Sequence, residues 1–143
     1  MKKTLLVLTA IAISLFSSNI QTRAGEFPAK EMKSQSLEIV KMVVEEISST
    51  LPQKIDKYTD LTDIKSEGST MIYYFEINTG SKSDETIQKE DRSRMKKAVT
   101  TGVCQSAERF INANINISYI YLSAKTKAEL FRFDITQKDC SGI

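Results

Sequence analysis

The chain has 143 residues, with 20 lysines and arginines against 18 aspartates and glutamates, two cysteines and no histidine. Because histidine is the commonest general base and metal ligand, its absence excludes Ser-His-Asp catalysis and histidine-ligated metal centres. The nearly balanced charge gives no reason to expect a nucleic acid partner, since such binding is dominated by contacts to phosphate.

The first 24 residues have the pattern of a secretory signal peptide. Two lysines, Lys2 and Lys3, precede an uncharged and mostly apolar run of 12 residues from Leu5 to Phe16. A helix needs about 20 residues to span a bilayer, so this run is too short for a transmembrane segment. We predict cleavage between Ala24 and Gly25, with an uncleaved N-terminal anchor as the alternative.

Cleavage would leave residues 25–143 as a single exported domain, which is long enough to bury one modest core. It would remove three cations and no anion, leaving 17 basic and 18 acidic residues. No second long apolar run follows, so we expect the mature domain to be soluble and either periplasmic or secreted. Disulfides persist in such an oxidising compartment.

The mature chain first shows helical periodicity, from residue 31 to Leu51, and Pro52 ends the predicted helix. Two strands follow, at about residues 58–65 and 70–78, with a turn at Gly68. After a polar loop, Ser83 or Asp84 caps a second apolar helical stripe, which Gly102 could divide into two helices. A second hairpin, in which residues 115–122 form the first strand and residues 130–135 the second, closes the chain. The order α-β-β-α-β-β predicts an α+β fold with a mainly antiparallel sheet packed on helices.

The two cysteines, Cys104 in the second helix and Cys140 near the end of the chain, are predicted to form one disulfide. The bridge would close a loop of 36 residues, worth about 4 kcal/mol in the chain-entropy treatment. A redox-active pair is the alternative, but the chain has no C-x-x-C sequence.

No group of residues predicts catalysis, a metal site or a cofactor. Six clustered carboxylates could in principle serve a glycosidase or a calcium site. We favour structural roles for them at strand edges and helix starts. These residues are Asp60, Asp63, Asp84, Glu85, Glu90 and Asp91. The basic run from Arg92 to Lys97 could touch anionic lipid or an acidic partner. Because acidic residues precede it, a solvated helix face is the favoured interpretation.

A candidate partner-binding strip arises from strand alternation. Ile72 and Tyr74 lie on the sheet face opposite the main apolar residues of their strand, as do Ile120 and Leu122 in theirs. A sheet that is apolar on both faces needs cover on both. Either the two helices cover one face each, or the strip stays open to a helix or strand of a partner protein.

The chain resembles the small β-type pilotins of type II secretion systems and related periplasmic proteins. The matching residues are Leu51–Pro52, Cys104, Ile115 to Tyr121, and Asp134 to Cys140. The resemblance implies a bridged cysteine pair and a domain that binds the C-terminal segment of a secretin subunit and escorts it to the outer membrane. Those pilotins are lipoproteins, whereas this chain lacks the lipobox cysteine.

The sequence therefore predicts a soluble periplasmic module without catalytic activity, which binds a secretin segment or another envelope protein. The alternative is a periplasmic inhibitor or immunity protein that blocks a toxin or hydrolase, with loops such as Asn78 to Lys82 making the contacts. A hydrolase that uses carboxylates is a third and weaker interpretation, because the chain lacks histidine.

Overall fold

The computed structural model describes residues 29–143, so the predicted signal peptide and its cleavage site lie outside the described residues. The helices are α1 (Ala29–Ser48), α2 (Asp84–Ser106), α3 (Glu108–Asn112) and α4 (Gln137–Cys140). The strands are β1 (Gln53–Lys54), β2 (Thr59–Glu67), β3 (Thr70–Ile77), β4 (Asn116–Ser123) and β5 (Glu129–Ile135). None of the helices between residues 29 and 143 has both the length and the apolarity needed to cross a membrane.

The start of α2 follows the predicted capping chemistry. The Ser83 hydroxyl accepts a hydrogen bond from the Thr86 amide at 3.2 Å. Two acidic residues in the first turn stabilise the helix, because their negative charge lies at the positive end of its dipole. The expected break at Gly102 is wrong, because α2 continues to Ser106 and the chain leaves helical geometry at Ala107. A glycine within a helix costs only about 1 kcal/mol, which packing of the surrounding turns can offset.

The five strands form one sheet in the order β1-β2-β3-β4-β5. Three of its pairs are antiparallel, and the central pair, β3 with β4, is parallel. Gly68 joins β2 to β3 with a φ of +57°, a conformation that costs glycine little because it has no Cβ. The predicted α+β class and mainly antiparallel sheet are confirmed, and α2 with α3 form the crossover that the parallel pair requires.

The core lies on one face of the sheet, and both long helices pack on that face. A single buried cluster combines Val40 of α1 and Val103 of α2 with alternating residues of the strands, among them Met71, Phe75, Ile117, Tyr121, Phe133 and Ile135. The expectation that each helix covers a different face is therefore wrong. The physical reason is that the apolar residues of the opposite face are too few to bury a helix.

The predicted disulfide joins Cys104 of α2 to Cys140 of α4, with a distance of 5.4 Å between the two Cα atoms. Helix α4 begins with a capping box, in which Asp139 accepts hydrogen bonds at 2.8 Å from both the amide and the hydroxyl of Thr136. These bonds to the ionised carboxylate lower the pKa of Asp139. The bridge and the cap together hold the last turn of the chain against α2.

Candidate partner-binding surfaces

The four residues of the predicted strip lie on one face of the sheet, opposite the helices. Tyr74 pairs with Ile120 in the parallel β3–β4 register, and Ile72 pairs with Ser118. Paired residues of neighbouring strands point to the same side, so the register that the sequence left open brings Ile72, Tyr74, Ile120 and Leu122 together.

The four residues of the strip differ in how far they are buried. Ile72 and Ile120 are only 5% and 4% exposed, whereas Tyr74 and Leu122 are half-buried. The Lys65 ammonium lies 5.1 Å from the centre of the Tyr74 ring. The strip therefore offers a partner two half-buried apolar side chains.

Ion pairs border the strip. Lys127 contacts Glu76 at 2.8 Å, and Arg132 contacts Asp134 at 3.1 Å. Burial opposes ionisation of Asp134, but hydrogen bonds from Ser118 and Arg132 outweigh it and lower the pKa of this carboxyl. The apolar strip is therefore narrow and has charged edges.

The helix side of the sheet contains a cleft that the sequence did not predict. Helix α1 packs mainly on β2 and helix α2 mainly on β5, and the two helices make at most marginal contact with each other. The sheet between them is only partly covered, since Tyr73 and Tyr119 are half-buried although they lie on its two central strands. We refer to this partly covered region between α1 and α2 as the cleft. Its floor consists of the two half-buried tyrosines together with Phe75 and Tyr121, which are only 6% and 8% exposed.

Aromatic rings in close contact make the floor of the cleft. The Tyr119 ring centre lies 5.2 Å from that of Tyr73 and 4.8 Å from that of Phe75, and the Tyr121 ring is stacked 4.9 Å from Phe75. Among residues 29–143, the three tyrosine hydroxyls form no hydrogen bond, and none is a buried polar atom without a partner. In this part of the chain none of the three hydroxyls is therefore completely buried, although Tyr121 as a whole is only 8% exposed.

The floor is uncharged at physiological pH. Burial, with a smaller contribution from neighbouring Tyr119, raises the pKa of Tyr73 to about 12. Burial likewise raises the pKa of Tyr119, and burial, Tyr119 and Asp56 raise that of Tyr121. The cleft thus presents flat apolar rings with neutral hydroxyls that can donate or accept hydrogen bonds.

An open depression of about 560 Å³ lies where β3 ends and α2 begins. Its apolar lining includes Tyr58, Ile77, Ile87 and Met95, and Tyr58 is 58% exposed. Charged side chains surround this lining: Asp56, Lys82, Asp91 and Arg94. Ile77 follows Phe75 by two residues on the same face of β3, which places the depression next to the cleft floor.

The loop from Asn78 to Lys82, which the inhibitor interpretation singled out, lies at this depression, since Asn78, Thr79 and Lys82 line it. Lys82 is held at 2.8 Å from Glu90, and Arg94 at 2.7 Å from Asp91. The charges at the edge of the depression are therefore largely paired with each other.

Residue type was the signal that could have revealed the cleft. Alternation assigned Tyr73, Tyr119 and Tyr121 to the core face, where phenylalanine fills the same space without a polar atom. A hydroxyl buried without a partner costs free energy, so three tyrosines on one face indicate that this face is partly open.

Four of the six clustered carboxylates have structural partners. Asp84 accepts a hydrogen bond from the Thr126 hydroxyl at 2.6 Å, and Asp63 lies 3.5 Å from Lys65, while Glu90 and Asp91 pair with Lys82 and Arg94. Between residues 29 and 143, no three potential metal ligands come together.

The model of the family described as a domain of unknown function (DUF8479) matches residues 34–131. This chain belongs to that family. The matched region includes most of α1 and β1 to β4, and it ends within β5. A search of curated proteins found no match.

Three solved structures share the fold of this family member at low sequence identity. A protein from Pseudomonas aeruginosa that is thought to be secreted has 14% identity and a TM-score of 0.67, over 79% of this chain and 99% of its own. The type II secretion pilotin EpsS of Vibrio vulnificus has 11% identity and a TM-score of 0.66. The type II secretion pilotin AspS of Vibrio cholerae also has 11% identity, with a TM-score of 0.58. Each pilotin match covers 78% of this chain and 97% of the pilotin, so the resemblance to pilotins is confirmed as one of fold.

Proposed function

We propose that this family member is a periplasmic protein without catalytic activity that binds a segment of an envelope protein, as a pilotin does. The observation that carries the proposal is the fold, since nearly the whole length of two pilotins superimposes on it. A fold does not determine a function, so the proposal also draws on the surfaces described above.

The cleft is the binding site that the geometry supports best. Tyr73 and Tyr119 are half-buried aromatic rings with neutral hydroxyls. Such rings supply contact area at low cost in side-chain entropy, which is why tyrosine is frequent in binding hot spots. The amphipathic helix or extended strand of a partner would place apolar side chains on the rings and polar groups near the hydroxyls. The client we propose is a secretin C-terminal segment or a similar segment of another envelope protein.

The strip formed by Ile72, Tyr74, Ile120 and Leu122 is a second candidate for the same function. Its two isoleucines are buried, so a partner would contact mainly Tyr74 and Leu122. The strip offers one half-buried tyrosine where the cleft offers two, and ion pairs border it, so this face is the weaker of the two sites.

Export is part of the proposal. Residues 1–24 would act as a signal peptide and residues 25–143 as the mature domain. The cleavage region contains no cysteine to which a lipid could be attached. The mature domain would therefore be released without such a lipid anchor. Its encounter with the client would then take place in the periplasm.

Two tyrosines on opposite faces of the sheet provide a matched test. Tyr119 lies on the floor of the cleft and Tyr74 in the strip, and both are half-buried. Tyr119→Ala should weaken binding of a secretin C-terminal peptide from the same genome by about 10- to 100-fold, as expected for a hot spot. Tyr74→Ala should bind nearly as the unmodified protein does, and isothermal titration measures both.

A larger loss of binding in Tyr74→Ala than in Tyr119→Ala would instead assign the binding site to the strip. No binding by the unmodified protein to secretin segments or to other envelope proteins would contradict the proposal. A photo-crosslinker at position 119 that captured a toxin or hydrolase from the periplasm would instead favour the inhibitor or immunity function.

A further inference from the structure

Helix α2 carries a row of exposed cations on a side that the cleft does not use. Lys89, Arg92 and Lys96 follow one another at spacings of three and four residues, which places them along one line of the helix. Lys97 lies beside this line, and all four side chains are exposed. We call these four residues the basic row.

The basic row differs from Arg94, the remaining cation of α2, in lacking close counter-charges. Arg94 is paired with Asp91, and nearby Lys82 with Glu90. In the part of the chain that the structure describes, none of the four cations of the basic row has a carboxylate within ion-pair distance.

Two acidic residues nevertheless lie close to the basic row. Glu85 is exposed one turn before Lys89, and Asp139 of α4 is near enough to Lys96 for the lysine to lower its pKa. Glu90 and Asp91 also border the row, but they are paired with Lys82 and Arg94. The four cations of the row against Glu85 and Asp139 leave the surface net positive.

The shape of this surface indicates the kind of ligand. None of the four cations lines the depression beside the cleft, which α2 reaches instead through Ile87, Asp91, Arg94 and Met95. Long, exposed side chains on a convex helix offer no pocket that would enclose a peptide side chain. They suit a negative charge that is spread over a plane, as at a membrane with anionic lipids.

We propose that the basic row rests on the surface of a membrane that contains anionic phospholipid. From Lys89 to Lys96 the row extends about 10 Å along the helix, at 1.5 Å per residue, so several headgroups can be contacted at once. The row lies along one flank of α2, because Arg92 and Lys96 are each two turns before a core-packing valine and Lys96 is close to Asp139 of α4. A domain bound in this way would work beside a membrane without an embedded segment.

Vesicle co-sedimentation of the protein recovered from the cell envelope tests the proposal. We expect binding to vesicles that contain phosphatidylglycerol, much weaker binding to pure phosphatidylcholine, and loss of the difference at high salt. The triple variant Lys89→Ala, Arg92→Ala, Lys96→Ala should bind the anionic vesicles roughly a hundredfold less, since each cation near an anionic surface contributes roughly a factor of five.

The matched control is the triple variant Lys41→Ala, Lys54→Ala, Lys125→Ala. It removes the same charge from three exposed positions outside α2 and should bind as the unmodified protein does. Circular dichroism should show that both variants are folded.

Equal losses in both variants, or no loss in the α2 variant, would overturn the proposal, as would equal binding of the unmodified protein to both vesicle types. Binding to polyglutamate but not to anionic vesicles would overturn it in favour of an acidic protein segment. The client assay with Tyr119→Ala is separate, so either proposal can fail without the other.

Discussion

The tyrosines of the cleft floor link burial to function at the scale of single residues. Tyr73, Tyr119 and Tyr121 pack their rings as core residues do, yet among residues 29–143 their hydroxyls have no partner. This arrangement stabilises the sheet while leaving hydrogen-bonding groups available to the proposed client. It also makes stability depend on pH in the alkaline range.

Stability should fall as the pH rises from 10 towards 12. In this window an unfolded tyrosine ionises, whereas folded Tyr73, whose pKa is raised to about 12, keeps its proton. The folded state then binds more protons than the unfolded state, so the free energy of unfolding decreases with pH. Tyr73→Phe should reduce this pH-dependent loss of stability by about 1 kcal/mol. The value is smaller than the full pKa shift of Tyr73 would give, because the side chain is partly exposed and solvent screens it.

Urea unfolding of both proteins at a series of pH values measures the effect. The free energy difference between them should be constant below pH 10. A decrease in the Tyr73→Phe variant as steep as in the unmodified protein would show that Tyr73 does not contribute.

At the scale of elements, α4 is too short to be stable alone, and two devices fix it. One is the Thr136–Asp139 capping box, and the other is the bridge from Cys140 to Cys104. Both act at the C-terminal end of the domain, where chains otherwise fray.

Loss of the bridge should have a large effect. Cys140→Ser should lower the free energy of unfolding by about 2–5 kcal/mol, since the unfolded chain regains the freedom of a long loop. Guanidinium unfolding measures the loss, and reduction of the unmodified protein should reproduce most of it. A change below about 1 kcal/mol in both experiments would contradict this expectation.

The strip allows a comparison between neighbouring positions of β4. Ile120→Asp should unfold the domain, because it buries an unpaired charge at a site that is 4% exposed. Leu122→Asp should leave it folded, at a cost of about 1 kcal/mol, because that side chain reaches the surface. Circular dichroism and thermal melting distinguish the two, and a folded Ile120→Asp variant would show that this face is open.

At the scale of the whole molecule, the sequence predicted local features better than relations between distant elements. The helix start at Ser83 and the turn at Gly68 depend on nearby residues, and both were found at the predicted positions. The disulfide was predicted because only one pairing exists. The side on which α1 and α2 pack, and the space between them, depend on contacts of α1 with β2 and of α2 with β5, which alternation within single strands does not give. The cleft was missed for that reason.

The position of the mature N-terminus is a further whole-molecule prediction. Protein recovered from the periplasm should begin at Gly25, because Ala24 follows the apolar run and a polar stretch in the manner of a cleavage site. Intact mass spectrometry checks this in one measurement. A mass that includes residues 1–24 would support the uncleaved anchor instead.

The parallel pair at the centre of the sheet divides the chain into two contiguous halves. Residues 29–82 form α1 and β1 to β3, while residues 83–143 form the remaining elements and contain the whole disulfide. Gly80 lies at the boundary, in an exposed loop with a φ of +61°. Two polypeptides divided at Gly80 should therefore reassemble by pairing β3 with β4, and their co-purification would test this. Because the floor of the cleft contains residues of both β3 and β4, neither fragment alone could form the complete proposed client site, and the pair would act as a split receptor.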